Sequence, residues 1–206
     1  MLNEFSSAWN ALYKKHPSEY FKGSVTITEY DEDAKNKTLT INCSEVVSFP
    51  SKHFNCYDLF SALTDRNCDG VLLISNDDGT CDLIYVEMKS RFSLEEVFKA
   101  KTQIVDTCAK MQSLLHMMKD FSSLPIKRVY GVIETKSLDN NQEDWWLKQQ
   151  MLPDEELQFG ERLLKYSRVK APTRYKQELN MPSEMTFKIV LSDNANYSVN
   201  YNKLSL

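Results

Sequence analysis

Asp69, Glu87 and Lys89 are the residues of this chain best placed to do chemistry together. Asp69 lies in the apolar run Cys68 to Ser75, Glu87 and Lys89 close the run Cys81 to Lys89, and Asn76-Asp77-Asp78-Gly79-Thr80 joins the two. Two carboxylates from adjoining strands make a hard-oxygen site suited to Mg²⁺ or Mn²⁺, ions that keep several waters and accept phosphate oxygens. Such an ion lowers the pKa of a bound water and stabilises charge on a phosphoryl centre. A nearby ammonium orients the attacking water or neutralises the developing negative charge. This set of groups suits phosphodiester hydrolysis.

The elements that must position these groups are legible nearby. Gly79 fits the left-handed position of a three-residue hairpin loop, Asp77 to Gly79. Asn76 then pairs with Thr80, and the same register carries Asp69 directly opposite Glu87. Side chains alternate along a strand, so Lys89 shares the face of Glu87, about 7 Å further on. A slip of one residue would scatter the three. Tyr85, Leu83, Val71 and Leu73 share that face, and Met88, Val86, Ile84, Leu72 and Ile74 form the other. Both faces are apolar, as in a central strand covered by helices on each side. A solvated surface ion pair is the plainer reading of Glu87 and Lys89, but charges ending a strand buried on both faces point to a site.

In this order and chemistry the chain resembles the PD-(D/E)XK nuclease superfamily, the restriction-endonuclease-like proteins. The resemblance covers roughly residues 38 to 136 and rests on Asp69, Glu87 and Lys89, with Gly70 following the aspartate and no proline preceding it. It implies an α/β fold with a central mixed sheet flanked by helices in αβββαβ order. It also implies Mg²⁺ or Mn²⁺ bound by Asp69, Glu87 and the backbone carbonyl of Met88, and cleavage leaving 5′-phosphate and 3′-hydroxyl ends. Members often add a polar residue from the helix after the motif; Lys99 and Gln103, four residues apart, are the candidates, with Gln103 taken as the catalytic one. A further acid from the first helix is also common; Glu4, and Glu45 after the first core strand, have no spacing that marks them, and a structural role is expected for both.

That helix is strongly signalled. Ser93-Leu94-Glu95-Glu96 is a capping box, and Val97, Ile104, Cys108, Met111, Leu115 and Met118 form an apolar stripe with a gap at Lys101. A second Glu-x-Lys, Glu134-Thr135-Lys136, follows a helix rather than an aspartate-bearing hairpin, and is expected to be a strand end beside a loop. Elsewhere the pattern predicts a helix over 2–15, a hairpin of Ser24 to Tyr30 with Thr38 to Phe49, and a short helix from Tyr57 to Leu63. It further predicts a strand over 127–134, a polar loop over 139–144, a helix over 154–166 opened by Pro153, and a last hairpin of Thr186 to Ser192 with Tyr197 to Tyr201. No linker divides the chain, so a single domain over 1–206 is expected, its core at about 38–136 and a C-terminal helix and hairpin added over about 140–206.

The 206 residues are 42% hydrophobic and 26% charged, ordinary for a globular chain. No apolar run approaches the ~20 residues of a membrane span. The first residues lack the basic start and apolar core of a secretory leader. Five cysteines without a Cys-x-x-Cys pair argue against zinc ribbons and disulfide frameworks. A cytoplasmic location is the expectation. The net charge of −4 opposes attraction to a polyanion as a whole. One local cluster runs the other way: Arg162, Lys165, Arg168, Lys170, Arg174 and Lys176, with Tyr166 and Tyr175 interleaved and no acid between. It suits a nucleic-acid backbone, or equally an acidic protein partner.

Two functions are consistent with these residues. One is a metal-dependent nuclease acting on DNA, with RNA as the alternative polymer, within a defence or mobile-element complex such as antiviral defence. The other is a non-catalytic binding or assembly subunit that uses the fold as a scaffold. Small size and negative charge favour a protein partner, or a second copy of the chain, that supplies targeting.

Overall fold

A computed structural model describes residues 1–29, 37–50, 67–90, 92–118, 124–136, 153–173, 183–192 and 195–204. The expected helix at 57–63, the loop at 139–144, and Arg174, Tyr175 and Lys176 of the basic cluster lie outside them.

The chain begins with α1 (Leu2–Leu12), which buries Leu2, Phe5 and Trp9, the stripe that its sequence spacing marks. β1 (Glu19–Thr28) and β2 (Thr38–Phe49) pair antiparallel, as expected, although β1 starts five residues earlier than its sequence signal. β3 (Gly70–Ser75) and β4 (Cys81–Lys89) form the motif hairpin. Next come α2 (Leu94–His116), β5 (Ile126–Lys136), α3 (Asp154–Tyr166), β6 (Arg168–Pro172), β7 (Glu184–Ser192), β8 (Asn196–Asn200) and the short α4 (Tyr201–Leu204). The capping box operates as read: the Ser93 hydroxyl accepts from the Glu96 amide at 3.0 Å. All six residues of the α2 stripe are buried. Lys101, the gap in that stripe, is buried as well, its ammonium over the Phe98 and Phe159 rings and paired with Glu155 at 3.3 Å.

The result is an α/β protein with an open, mixed, eight-stranded sheet flanked by helices. Its order is β1-β2-β3-β4-β5-β7-β6, with β8 beside β2. β2, β3 and β4 form an antiparallel meander; β4, β5 and β7 run parallel, as strands separated by crossover connections do. The two faces of β4 enter different cores. Leu83 and Tyr85 join Val71 and Leu73 with α1, α2 and α3, whereas Ile84, Val86 and Met88 join Leu72 and Ile74 with β1, β2, β8 and α4. The expectation of helices on both faces is thus corrected. Helices cover the first face, and the β1–β2–β8 strands with short α4 cover the second.

The predicted last hairpin is also corrected. β7 is paired on both edges, with β5 and with β6, so no edge remains for β8. β8 instead runs parallel to the first half of β2, from Thr38–Asn196 to Asn42–Asn200. β6, which the sequence reading does not single out, forms the far edge of the sheet.

The motif hairpin has the register expected of it. Partners run from Gly70–Val86 to Ser75–Cys81, Asn76 donates to the Thr80 carbonyl at 2.8 Å, and Gly79 takes a φ of +79°. Gly70 has a packing role: a Cβ there would stand 2.7 Å from Ile27 Cδ1. The missing side chain admits β1 over the start of β3. At the other end of the hairpin, buried Asp82 accepts from Asn76 at 3.2 Å and from Tyr201, and pairs with Arg128 at 2.6 Å. This network ties the C-terminal α4 to β4 and β5.

Candidate active site

Asp69 and Glu87 face each other across the β3–β4 hairpin and are cross-linked through their backbones. The Met88 amide donates to Asp69 Oδ2 at 2.8 Å, and the Asp69 amide donates to Glu87 Oε2 at 3.2 Å. Lys89 Nζ lies 2.7 Å from Glu87 Oε1, donates to Gln103 Oε1 at 2.8 Å and stands 3.9 Å from Glu96. The four residues expected to carry catalysis are therefore together at one end of the sheet. Lys99, the other helix candidate, is not among them: its ammonium pairs along α2 with Glu95 at 2.7 Å and Glu96 at 3.2 Å.

α2 does more than supply Gln103. Thr107 accepts from the Cys68 amide at 2.8 Å, and Lys110 donates to Asn67 at 2.8 Å, so the helix fixes the approach to Asp69. Gln103, Thr107 and Lys110 follow at helical spacing, a polar stripe readable from sequence. Glu87 is 3% exposed. Burial first, and then the charge of Asp69, push its carboxyl up to about 8 against the opposing pull of Lys89.

Three further charged groups gather here that no motif marks. Glu29, one residue beyond β1, is buried, and its Oε2 has no hydrogen-bond partner. Burial and then Asp69 push its carboxyl up to about 7, with Lys37 and Lys89 pulling the other way. Lys37, which begins the return of the hairpin, donates to the Lys89 carbonyl at 2.6 Å and pairs with Glu134 Oε2 at 2.5 Å. Glu134 is 0% exposed and accepts from the Ser192 hydroxyl. The expectation for Glu134 is corrected. It lies within β5, opposite Met88 on β4, on the other sheet face from Glu87. Its Lys136 is exposed. The partners of Glu134 come from β2 and β7, far away in sequence.

The set is chemically suited to a hard divalent ion held mainly by water. Among the described residues no group of three or more His, Cys, Asp or Glu side chains is placed to hold a metal ion. Two carboxylates and a carbonyl, completed by waters and substrate oxygens, match how Mg²⁺ is usually bound. The buried like-charged pair of Asp69 and Glu87 is the feature that such an ion relieves. Glu4 and Glu45 stand apart, Glu4 beside the N-terminal amine and Glu45 paired with Lys22.

The described part of the basic cluster forms a shallow groove lined by Arg128, Arg162, Tyr166, Arg168, Lys170 and Thr186. Lys165 stands beside it, over the Tyr166 ring. Arg168 and Lys170 are exposed on the edge strand β6. That edge is three strand spacings from β4, about 14 Å, and the two side chains lie on the sheet face opposite Glu87. Of the cysteines, Cys43, Cys68, Cys81 and Cys108 are free thiols. No helix among the described residues is long and apolar enough to cross a membrane.

No family model, curated protein or solved structure matches this chain.

Proposed function

We propose that this protein is a Mg²⁺- or Mn²⁺-dependent nuclease that hydrolyses phosphodiester bonds of DNA with Asp69, Glu87 and Lys89. The observation that carries this reading is the cross-linked Asp69–Glu87 pair, with Lys89 held between Glu87 and Gln103. The β2–β3–β4 meander followed by α2 and β5 adds support, since it is the αβββαβ order implied by the resemblance to PD-(D/E)XK nucleases. Asp69, Glu87 and the Met88 carbonyl hold the ion, which polarises a phosphate oxygen and lowers the pKa of a bound water. Lys89 has three donors; with Gln103 orienting it, its ammonium places the attacking water and offsets charge on the phosphorane. Burial of Glu87 excludes bulk water and strengthens each of these interactions.

The groove on β6 and α3 supports a polyanionic substrate or partner in a chain that is otherwise net negative. Its place at the sheet edge, apart from the motif, favours a role in contact rather than chemistry. It also supports the second reading, a subunit docked on an acidic protein. A plasmid-nicking assay separates the two. Nicking by wild type in Mg²⁺ or Mn²⁺, abolished by chelator and by Lys89→Ala, is the expected result. A folded protein that binds DNA or a partner and nicks nothing under any metal is the assembly subunit.

A further inference from the structure

The second Glu-x-Lys of the chain has a structural tie to the first. Glu134 and Lys37 form an ion pair with both side chains almost wholly out of water, at 0% and 4% exposure. Burying two charges is costly unless they are paired and their remaining valences satisfied, and here they are used further. The ammonium of Lys37 also donates to the backbone carbonyl of Lys89 at 2.6 Å, and Glu134 is braced by the Ser192 hydroxyl. Lys89 is the last residue of β4. Beyond it the chain leaves the sheet for α2, so the ladder guides its backbone from one side only. Glu134 lies on the opposite sheet face from Glu87 and Gln103 and is fully buried. It does not meet a substrate bound beside Glu87.

We infer that Lys37 and Glu134 are positioning residues: Glu134 fixes the Lys37 ammonium, and Lys37, through the Lys89 carbonyl, holds the strand end that carries Glu87, the Met88 carbonyl and Lys89. The chemical consequence rests on the nuclease reading; the mechanical one does not. The β1–β2 hairpin thus acts as a clamp behind the motif, entering through Lys37 on one strand. A change at a residue that never touches DNA then alters the geometry of those that do, and small displacements of catalytic groups are costly to rate.

The test uses the double variant Lys37→Met/Glu134→Gln, which keeps approximate shape and removes both buried charges, an exchange that folds often tolerate. Three quantities are read on the full chain: amide hydrogen exchange over residues 87–90, Mn²⁺ affinity by calorimetry, and steady-state plasmid nicking. The expected result is a folded variant that melts within a few degrees of wild type. Its amides at 87–90 exchange at least tenfold faster while those of the β3–β4 turn are unchanged. Mn²⁺ binds about tenfold more weakly, and kcat falls at least tenfold with KM for plasmid within twofold. A folded variant with wild-type exchange and Mn²⁺ affinity overturns the inference. So does a variant that fails to fold, which makes the pair purely structural. If wild type neither binds Mn²⁺ nor nicks DNA, the nuclease reading falls, and the exchange rates alone decide whether the pair holds the strand end.

Discussion

At the scale of single residues, the two Glu-x-Lys sequences have different fates because their surroundings differ. Lys89 is clasped between Glu87 and Gln103, whereas Lys136 is exposed at the end of β5. Lys89→Ala is expected to lower single-turnover cleavage by about 10²-fold or more, the usual worth of a group acting on proton transfer or transition-state charge. Lys136→Ala should stay within a few-fold of wild type, and the reverse ranking would move the site to β5. The carboxylates also predict a pH dependence. The folded value for Glu87, about 8, lies above its ordinary 4.5, so the folded state holds the extra proton between these values. Stability from this group is full below about 4.5 and is lost as pH rises through about 8. In chelator, urea midpoints should therefore fall from pH 5 to pH 8, and Mn²⁺ should restore the loss. Glu87→Gln should flatten the profile and stabilise the metal-free protein at pH 8, on the order of a few kcal/mol, while abolishing activity. A wild-type profile unaffected by the substitution would show that Glu87 is not strained by burial.

At the scale of elements, what was legible in the sequence was local and what was hidden was not. The register of β3 and β4 followed from one left-handed glycine and strict alternation, so Asp69, Glu87 and Lys89 were placed from the chain alone. Gln103 followed from the cap and period of α2. Glu29, Lys37 and Glu134 were missed because they reach the site from β1, β2 and β5, through pairings that no nearby pattern records. The pairing of β8 failed for the same reason: a short turn suggests a hairpin, but both edges of β7 are taken by strands from elsewhere. β8 and α4 are instead held through Tyr201 on Asp82, at the end of β4 away from the motif. Asp82→Ala leaves Arg128 without its buried carboxylate and should cost about 3–5 kcal/mol in urea unfolding. Mn²⁺ affinity in the folded fraction should not change. A loss below about 1 kcal/mol would mean that the network does not anchor the C-terminal segment.

At the scale of the whole molecule, a net charge of −4 and a cationic groove on one edge make opposite demands on a polyanion. The groove decides contact only if its cations neutralise phosphates. On the catalytically disabled Lys89→Ala background, each such cation adds about 0.9 to the slope of log affinity against log salt. Arg168→Ala/Lys170→Ala should weaken DNA binding for all sequences alike and flatten that slope by up to about two units. An unchanged slope with DNA still bound assigns the groove to an acidic protein partner. The central claim, however, is the metal site. Its most direct test is calorimetric titration of Mn²⁺ into wild type and into Asp69→Ala at pH 8, where Glu87 has begun to give up its proton. Binding by wild type that disappears in the folded variant is the predicted result; equal binding by both would contradict the site described.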